Sequence, residues 1–120
     1  MKPKITWNAE KFGVEIKTEY QHFVISAMPS MVMNWHDASR YFEGNKEWEL
    51  PTTDQLKIVS AYISTINDLI KWNGGYEIQG LFWAADGSDE TSAWRVYIRE
   101  GDAYMGCKVY TNEVRAVSAL

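Results

Sequence analysis

The stretch PTTDQLKIVSAYISTINDLIKWNGG, residues 51–75, decides the fold class because it specifies the longest helix that the chain predicts. It starts with a capping box, in which Thr52 caps the helix and Gln55 occupies the third helical position. Apolar residues then recur at helical spacing along one face: Leu56, Val59, Ile63, Ile66 and Ile70. Gly74 and Gly75 end the pattern. The stretch therefore predicts one amphipathic helix that packs on the core and implies no chemistry of its own.

The residues on either side of this helix predict short strands and one further helix. Two alternating stretches, 12–18 and 22–27, are typical of a β-hairpin, and Asn34 is the expected cap of a short helix that ends at Gly44. After the long helix we expect four strands, near 80–84, 92–100, 103–110 and 113–118. A hairpin and two helices followed by a run of antiparallel strands indicate one α+β domain over residues 1–120.

The most informative strands are the pair at 92–110, which Gly101 and Asp102 are expected to join in a two-residue type II′ turn. That turn sets a register in which Arg95 lies opposite Lys108. Side chains alternate along a strand, so one face is apolar and is expected to face the core: Trp94, Val96, Ile98, Met105, Cys107 and Val109. The other face, called here the hairpin face, is basic and aromatic: Arg95, Tyr97, Arg99, Tyr104, Lys108 and Tyr110.

The hairpin face is the predicted ligand-binding site. Exposed strands favour tyrosine and arginine for packing reasons alone, and this is the simpler interpretation. Against it, Arg95 opposite Lys108 places like charges across the ladder, an unfavourable arrangement that a nearby carboxylate or an anionic partner would offset. Tyrosine and arginine are also enriched at binding hot spots. The partner that this face favours is a glycan or protein surface of anionic character.

The composition of this 120-residue chain argues against several classes of protein. A net charge of −4 argues against a general nucleic-acid binder, which would carry a basic field. No apolar run approaches the length of a membrane span, and residues 1–10 do not resemble a signal peptide. We therefore expect no membrane insertion, and a location in the cytoplasm or on a phage particle unless a signal has been removed.

Candidate catalytic and metal-binding residues are few. Cys107, His22 and His36 are too few and too far apart in sequence for a zinc site. Cys107 lies on the expected core face, so we predict a buried structural thiol without a paired base. The acidic loop at 86–90 does not have the spacing of an EF-hand, and a solvated turn is favoured over a calcium site. We expect no cofactor and no enzymatic activity.

Several short motifs resemble, in their order and spacing, those of one known family. They are Trp35-x-Asp37-Ala38, Trp48-x-Leu50-Pro51-Thr52-x-x-x-Leu56, Leu81-Phe82-Trp83, Ala93-Trp94-x-Val96 and Val114-Arg115-x-Val117. Together with opening strands at 13–16 and 23–26, they make about residues 12–118 similar to the C-terminal domain of the collagen-like adhesin Lcl and its bacterial relatives. That family resembles the wider C-type-lectin-like superfamily, which includes formylglycine-generating enzymes and phage tropism determinants.

The resemblance implies a C-type-lectin-like fold with two helices, a short antiparallel sheet and paired N- and C-terminal strands. It also implies a binding role, often adhesion to glycans or to protein surfaces, and it identifies no catalytic residue. The chain departs from the family pattern at Glu49 and Ser118, where arginine is usual. Its single cysteine, Cys107, does not match the two-cysteine active site of the formylglycine-generating relatives.

Two functions are therefore expected from the sequence. The first is a non-catalytic, adhesin-like ligand-recognition module of bacterial or phage origin, which binds a glycan or protein through the hairpin face. The alternative is a structural or assembly subunit of a phage or surface particle. In that case the hairpin face is a subunit interface and the chain forms an oligomer. The identity of the ligand stays open.

Overall fold

A four-stranded sheet contains strands from both ends of the chain. The computed structural model describes residues 2–120 and begins with β1 (Lys4–Asn8), β2 (Gly13–Lys17) and β3 (His22–Ser26), an antiparallel meander. The last strand, β9 (Val117–Ala119), pairs antiparallel with β3. The order of this N-terminal sheet is β1-β2-β3-β9. The predicted hairpin is confirmed as β2 and β3, whereas β1 was not predicted from the sequence.

A second sheet, the C-terminal sheet, contains five strands. They are β4 (Met31–Asn34), β5 (Leu81–Trp83), β6 (Ser92–Tyr97), β7 (Ala103–Cys107) and β8 (Thr111–Val114). Their order is β4-β8-β5-β6-β7, and every neighbouring pair is antiparallel except β5 with β8. The prediction missed β4, a short strand at one edge of the sheet.

The single strand predicted at 113–118 is wrong, because the chain changes sheets in the middle of it. Strand β8 belongs to the C-terminal sheet and β9 to the N-terminal sheet. Between them, the carbonyl oxygen of Ala116 accepts a hydrogen bond from Ser26 N at 3.0 Å, and the side chain of Arg115 is buried. The expected pairing of the N- and C-terminal strands also needs correction, since β9 pairs with β3 and the first strand β1 pairs only with β2.

Helix α1 (Trp35–Tyr41) begins where the sequence predicted it. Asn34 is its N-cap, and Oδ1 of Asn34 accepts a hydrogen bond from Asp37 N at 2.8 Å. The first helical turn would otherwise leave this N–H without a partner, which is why asparagine is favoured at the position. The helix packs against β4 and β8.

The long helix predicted from residue 52 is two helices, α2 (Thr53–Ala61) and α3 (Ile63–Trp72). Its capping box is confirmed: Thr52 Oγ1 accepts from Gln55 N at 3.2 Å, and Gln55 Oε1 accepts from Thr52 N at 2.9 Å. The break falls at Tyr62, where ψ is 28°. It has a tertiary cause, because α2 packs on β6 of the C-terminal sheet whereas α3 packs on β1 and β2 of the N-terminal sheet.

The main core fills the space between the helices and the two sheets. Leu56 and Val59 of α2 and Ile66 and Ile70 of α3 are completely buried in it, as their spacing predicted. A smaller core lies around Trp83, Ala38, Phe42, Leu50 and Val114. Among residues 2–120, no helix has the length and apolar character that crossing a membrane requires.

Candidate functional site

The register of the β6–β7 hairpin differs from the predicted one. Arg95 lies opposite Tyr104, not opposite Lys108, so the pairing is displaced by four residues, from position 108 to position 104. A five-residue connection at 98–102 replaces the expected two-residue turn. Ile98 causes the change, because its N–H donates to Gly80 O at 3.0 Å and its carbonyl accepts from the hydroxyl of Ser60. An even displacement keeps the side chains that remain within the two paired strands on their predicted faces, and it removes the like-charge pair.

Arg95 lies flat along the sheet and does not extend into solvent. Its guanidinium carbon is 6.0 Å from the ring centroid of the buried Trp83, and Nη2 donates to Met105 O at 3.4 Å. The space for this position comes from Gly106, since a Cβ there would collide with Nε of Arg95. Arg95 is therefore half-buried and partly engaged within the hairpin, although Nε has no hydrogen-bond partner among the described residues.

Three residues of the predicted hairpin face lie within strands β6 and β7, and Tyr104 is the most exposed of them. It is 44% exposed, and its hydroxyl donates to Glu100 Oε2 at 3.2 Å. Desolvation and the hydrogen bond to Glu100 raise the pKa of Tyr104 above its ordinary value. Tyr104 and Arg95 remain neighbours in the structure, so this part of the predicted site persists.

Lys108 is not an exposed member of the hairpin face, and this prediction is wrong. The residue is 7% exposed, its Nζ lies 4.2 Å from the ring centroid of Trp35, and it donates to Asp89 O. The backbone carbonyl of Lys108 also accepts a hydrogen bond from Trp35 N at 3.1 Å. Lys108 therefore joins the start of α1 to the 86–90 loop. Its ammonium group makes a cation–π contact with the Trp35 ring, whereas the prediction assigned this charge to a ligand.

The remaining hairpin-face residues are dispersed. Tyr110 lies beyond the end of β7 and is 58% exposed, and Arg99 lies in the connection between the strands, where it is also exposed. Arg99 and Tyr97 both line an open cleft of about 590 Å³, together with Gln79 and Glu113. The structure therefore brings together two pairs, Arg95 with Tyr104 and Tyr97 with Arg99, but it does not assemble one six-residue surface.

The predicted core face of the hairpin is also only partly correct. Val96 and Ile98 are buried as expected, but Met105 is 39% exposed and Val109 is 69% exposed. Cys107 is half-buried and not fully buried. The reason is that β7 is the outermost strand of its sheet and ends at Cys107, so its side chains lie beyond the cover that the helices supply.

The acidic loop at 86–90 uses its carboxylates within the protein. Asp86 accepts hydrogen bonds at 2.7 Å from both N and Oγ1 of Thr53, at the first turn of α2. Asp89 accepts from the backbone N–H groups of Ser92 and Thr91, and these two bonds lower its pKa. Among residues 2–120, no cluster of three or more histidine, cysteine, aspartate or glutamate side chains has the arrangement of a metal site.

A different part of the surface forms a largely apolar concavity, called here the groove. It has a volume of about 630 Å³, and its walls come from four segments near 11–12, 26–31, 41–48 and 114–116. Six large apolar or aromatic side chains line it: Phe12, Met28, Met31, Tyr41, Phe42 and Trp48. Met28 and Tyr41 are 56% and 60% exposed, so a good part of this apolar surface faces solvent.

The floor of the groove contains a strained backbone position. Phe12 has a φ of 50°, a value that bulky residues rarely adopt. The next residue, Gly13, is packed so closely that a Cβ would collide with the carbonyl oxygen of Ile25. Phe12 O accepts from Ala27 N at 3.0 Å, and its ring meets Trp7 edge-to-face at 5.3 Å. These contacts hold the β1–β2 turn against β3 and fix Phe12 in the groove.

Arg115 supplies a buried positive charge to the groove wall. It is 2% exposed and donates to Ser30 Oγ at 3.0 Å, Ser26 O at 3.1 Å, Tyr76 O at 2.7 Å and Glu77 O at 2.8 Å. Burial lowers the pKa of the guanidinium to about 10, so it stays charged at neutral pH. Arg115 takes part in no ion pair among the described residues, because all of these acceptors are neutral oxygens.

Lys11 and Asn45 form the polar rim on the opposite side. Lys11 Nζ lies 2.9 Å from Glu47 Oε1 and 5.7 Å from the ring centroid of Trp48. Oδ1 of Asn45 accepts from the backbone N–H groups of Glu47 at 2.9 Å and Trp48 at 2.8 Å, which fixes the loop that carries Trp48. No hydrogen-bond partner of Asn45 Nδ2 is found among the described residues.

The sequence reasoning did not identify the groove residues as a site. Two signals were present in the sequence. The segment Met28-Pro29-Ser30-Met31 places two flexible methionines beside a proline, and Arg115 interrupts an otherwise apolar stretch at the end of the chain. Neither signal reveals that these segments meet, because they lie more than eighty residues apart, as the 85-residue separation of Ser30 and Arg115 shows.

No protein-family model matches this chain, and a comparison with curated proteins finds no match. What is plain from the structure is an α+β fold with three helices and two mostly antiparallel sheets. The function is therefore argued from the geometry of the groove and of the hairpin.

Proposed function

We propose that this protein is a non-catalytic ligand-recognition module of C-type-lectin-like fold, of bacterial or phage origin, and that the groove is its binding site. The observation that carries the proposal is the groove itself, about 630 Å³ in volume and lined by methionine and aromatic side chains. Ligand sites in proteins have volumes of roughly 300–1,000 Å³ and combine an apolar lining with a few polar groups. Methionine is also common at binding surfaces because its side chain adapts to different shapes.

The resemblance to the Lcl C-terminal domain supports a binding role, although its shared motifs are architectural and identify no site. Two of its motifs, Trp48-x-Leu50 and Val114-Arg115-x-Val117, come from distant parts of the sequence and both contribute side chains to the groove. In that family the domain binds glycans or protein surfaces. We assign this chain an adhesin-like role on those grounds, with glycans and proteins as the ligand classes to be screened.

Binding is favoured over catalysis by the way that the groove uses its polar groups. Ser30 Oγ accepts from Arg115, and Ser26 Oγ accepts from Met28 N at 3.1 Å. A serine nucleophile requires a general base that accepts its proton, and the described lining contains no histidine, aspartate or glutamate. The two serines are therefore assigned to holding the 26–31 segment in place.

The test is a binding screen with two variants that are matched in chemistry. Wild-type protein is applied to glycan and cell-surface arrays, and every positive signal is remeasured with Tyr41→Ala and with Tyr20→Ala. Both tyrosines are exposed, at 60% and 88%, but only Tyr41 lines the groove. We expect loss of binding for Tyr41→Ala alone. Equal binding by the two variants would show that the groove is not the site.

A second function, assembly into a particle or oligomer, is favoured by one observation on β7. This edge strand contains no charged residue and no proline, the features that usually protect sheet edges. At the two ends of the strand pair, Tyr97 N donates a hydrogen bond to Asp102 O at 3.1 Å, and Lys108 N donates to Thr91 O at 2.9 Å. Because bonded pairs alternate along an antiparallel ladder, the N–H groups of Ala103 and Met105 point away from β6.

Light scattering distinguishes assembly from recognition. If β7 is an interface, the protein is an oligomer and Met105→Lys dissociates it, since a charge on the edge opposes strand pairing. Tyr104→Glu gives the same result if the hairpin face takes part. A wild-type protein that is monomeric at high concentration would exclude assembly of the chain with itself.

A further inference from the structure

We propose that the groove binds a small amphipathic acid, a molecule that joins an apolar body to a carboxylate group. This inference rests on the proposed function only in taking the groove as the binding site, and it names a ligand class separate from the glycans and proteins that the family resemblance implies. Three features of the described residues support it: the charge of the groove wall, the direction of its free hydrogen-bonding groups, and the exposed apolar surface.

The charge of the groove wall is positive, although the protein as a whole carries a net charge of −4. The lining includes Lys11 and Arg115 and no aspartate or glutamate. Lys11 is paired with Glu47, a residue at the surface with a side chain that is 58% exposed. Arg115 forms no ion pair within 4.0 Å, but the charge of Glu113 acts on it and partly opposes the lowering of its pKa by burial. Glu47 and Glu113 both lie outside the lining of the groove. The charged side chains that border the open volume are therefore the two cations, and they favour an anionic ligand.

Several hydrogen-bond donors remain free around the groove. The oxygens of the Ser26 and Ser30 side chains already accept bonds, as does Oδ1 of Asn45. The hydroxyl hydrogen of each serine and Nδ2 of Asn45 have no acceptor among the described residues, and the Tyr41 hydroxyl can also donate. A group that only accepts hydrogen bonds matches this set, and a carboxylate is such a group.

The apolar half of the ligand is indicated by the exposed side chains of Met28 and Tyr41. They are 56% and 60% exposed, beside the more buried rings of Phe42 and Trp48. Covering them with an alkyl or aryl group removes apolar surface from water, which is the main driving force for such binding. A volume of about 630 Å³ lies within the range of small-molecule pockets, so the occupant that fits is a free small acid.

The experiment uses octanoate as the probe and octanol as its neutral match. Protein labelled with carbon-13 at the methionine methyl groups is titrated with each compound, and the methyl shifts are followed by NMR. Met28 and Met31 line the groove, whereas Met105 lies on β7 and serves as the internal control. We expect the Met28 and Met31 signals to move with octanoate, and octanol to bind about tenfold more weakly, the effect of one partly buried charge interaction.

Three variants test the charge directly. Lys11→Gln removes one cation and is expected to weaken octanoate binding several-fold without changing octanol binding. Glu47→Gln frees Lys11 from its partner and is expected to tighten octanoate binding. Lys57→Gln, at an exposed position on α2, removes the same charge elsewhere and should have no effect.

Each outcome of this titration bears on a different claim. If neither compound moves Met28 or Met31, both the groove as a small-molecule site and the acid ligand are overturned. If octanol binds as tightly as octanoate and Lys11→Gln changes neither affinity, the groove remains a binding site but the carboxylate is overturned. If Met105 moves as much as Met28, the binding is non-specific and the inference fails.

Discussion

The β6–β7 hairpin and the groove contain the same kinds of side chain, but they use them differently. In the hairpin, Arg95 and Lys108 lie against the rings of Trp83 and Trp35 and line neither the groove nor the cleft beside Tyr97. In the groove, Lys11 and Arg115 border an open apolar volume. The difference teaches that a basic and aromatic pattern does not by itself establish a binding surface. What differs is the open apolar volume beside the cations of the groove, since Lys11 also lies near an aromatic ring, 5.7 Å from the centroid of Trp48.

The largest expected effect compares the two close-packed glycines of these regions. Gly13→Ala places a methyl group against the carbonyl oxygen of Ile25 in the neighbouring strand, and a backbone in a sheet cannot move aside. We expect a loss of about 3 kcal/mol in the free energy of unfolding. Gly106→Ala displaces only the flexible Arg95 side chain, with an expected loss of about 1 kcal/mol. Urea denaturation measures both, and equal losses would contradict the rigid floor of the groove.

The next effect concerns the buried cation of the groove. Arg115→Met leaves the carbonyl oxygens of Ser26, Tyr76 and Glu77 without their donor, and we expect a loss of about 2 to 3 kcal/mol. Arg115→Lys restores the charge but reaches fewer of these oxygens, so its loss should be smaller. A thermal or urea denaturation series on both variants gives the values. No measurable loss for Arg115→Met would mean that the guanidinium does not hold these segments together.

Lys108, the corresponding cation of the hairpin, should matter less. Lys108→Met keeps an apolar side chain over Trp35 and removes only the charge and the bond to Asp89 O. The expected loss is about 1 to 2 kcal/mol, the range of a desolvated cation–π contact. Octanoate binding, followed at the Met28 and Met31 methyl groups, should be unchanged. A change in octanoate affinity would place Lys108 closer to the ligand than its contacts indicate.

The smallest effect is a change in the titration of Tyr104. Its pKa is raised by desolvation and by the bond to Glu100, so it should lose its proton at a pH above the ordinary range of tyrosine. Glu100→Gln removes a negative charge from beside the phenolate, and we expect it to lower the pKa of Tyr104. The pH dependence of the tyrosine ring-carbon signals in NMR measures this directly. A pKa of Tyr104 that does not change in the variant would show that the Glu100 contact is absent in solution.

The fold was predictable in those parts where neighbours in sequence decide the structure. The capping box at Thr52, the cap at Asn34 and the hairpin of β2 and β3 all depend on residues within about ten positions of one another, and all three are confirmed. The alternation of side chains in β6 also held, since Val96 is buried and Arg95 lies on the other face. Local hydrogen bonds and side-chain periodicity are sufficient to specify these features.

The candidate site was far less predictable. Tyr97 and Arg99 share a cleft, and Arg95 and Tyr104 share a strand pair, but the six residues of the predicted face are not one surface. The register failed because Ile98 bonds Gly80 and Ser60, two residues that no hairpin rule includes. The groove was missed because its lining comes from four separate segments, and none of them has by itself a sequence pattern that is typical of a binding site.

By itself, the sequence determined the α+β class, the start of the first two helices and most residues of the main core, because each depends on local capping or on a repeating apolar pattern. Only the tertiary structure decided the break at Tyr62, the change of sheets after Val114 and the position of Arg115 beside the groove. Each of these depends on contacts between residues far apart in the chain. Such long-range contacts determine the hydrogen-bond partners of Arg115, and they place its guanidinium in the wall of the apolar groove.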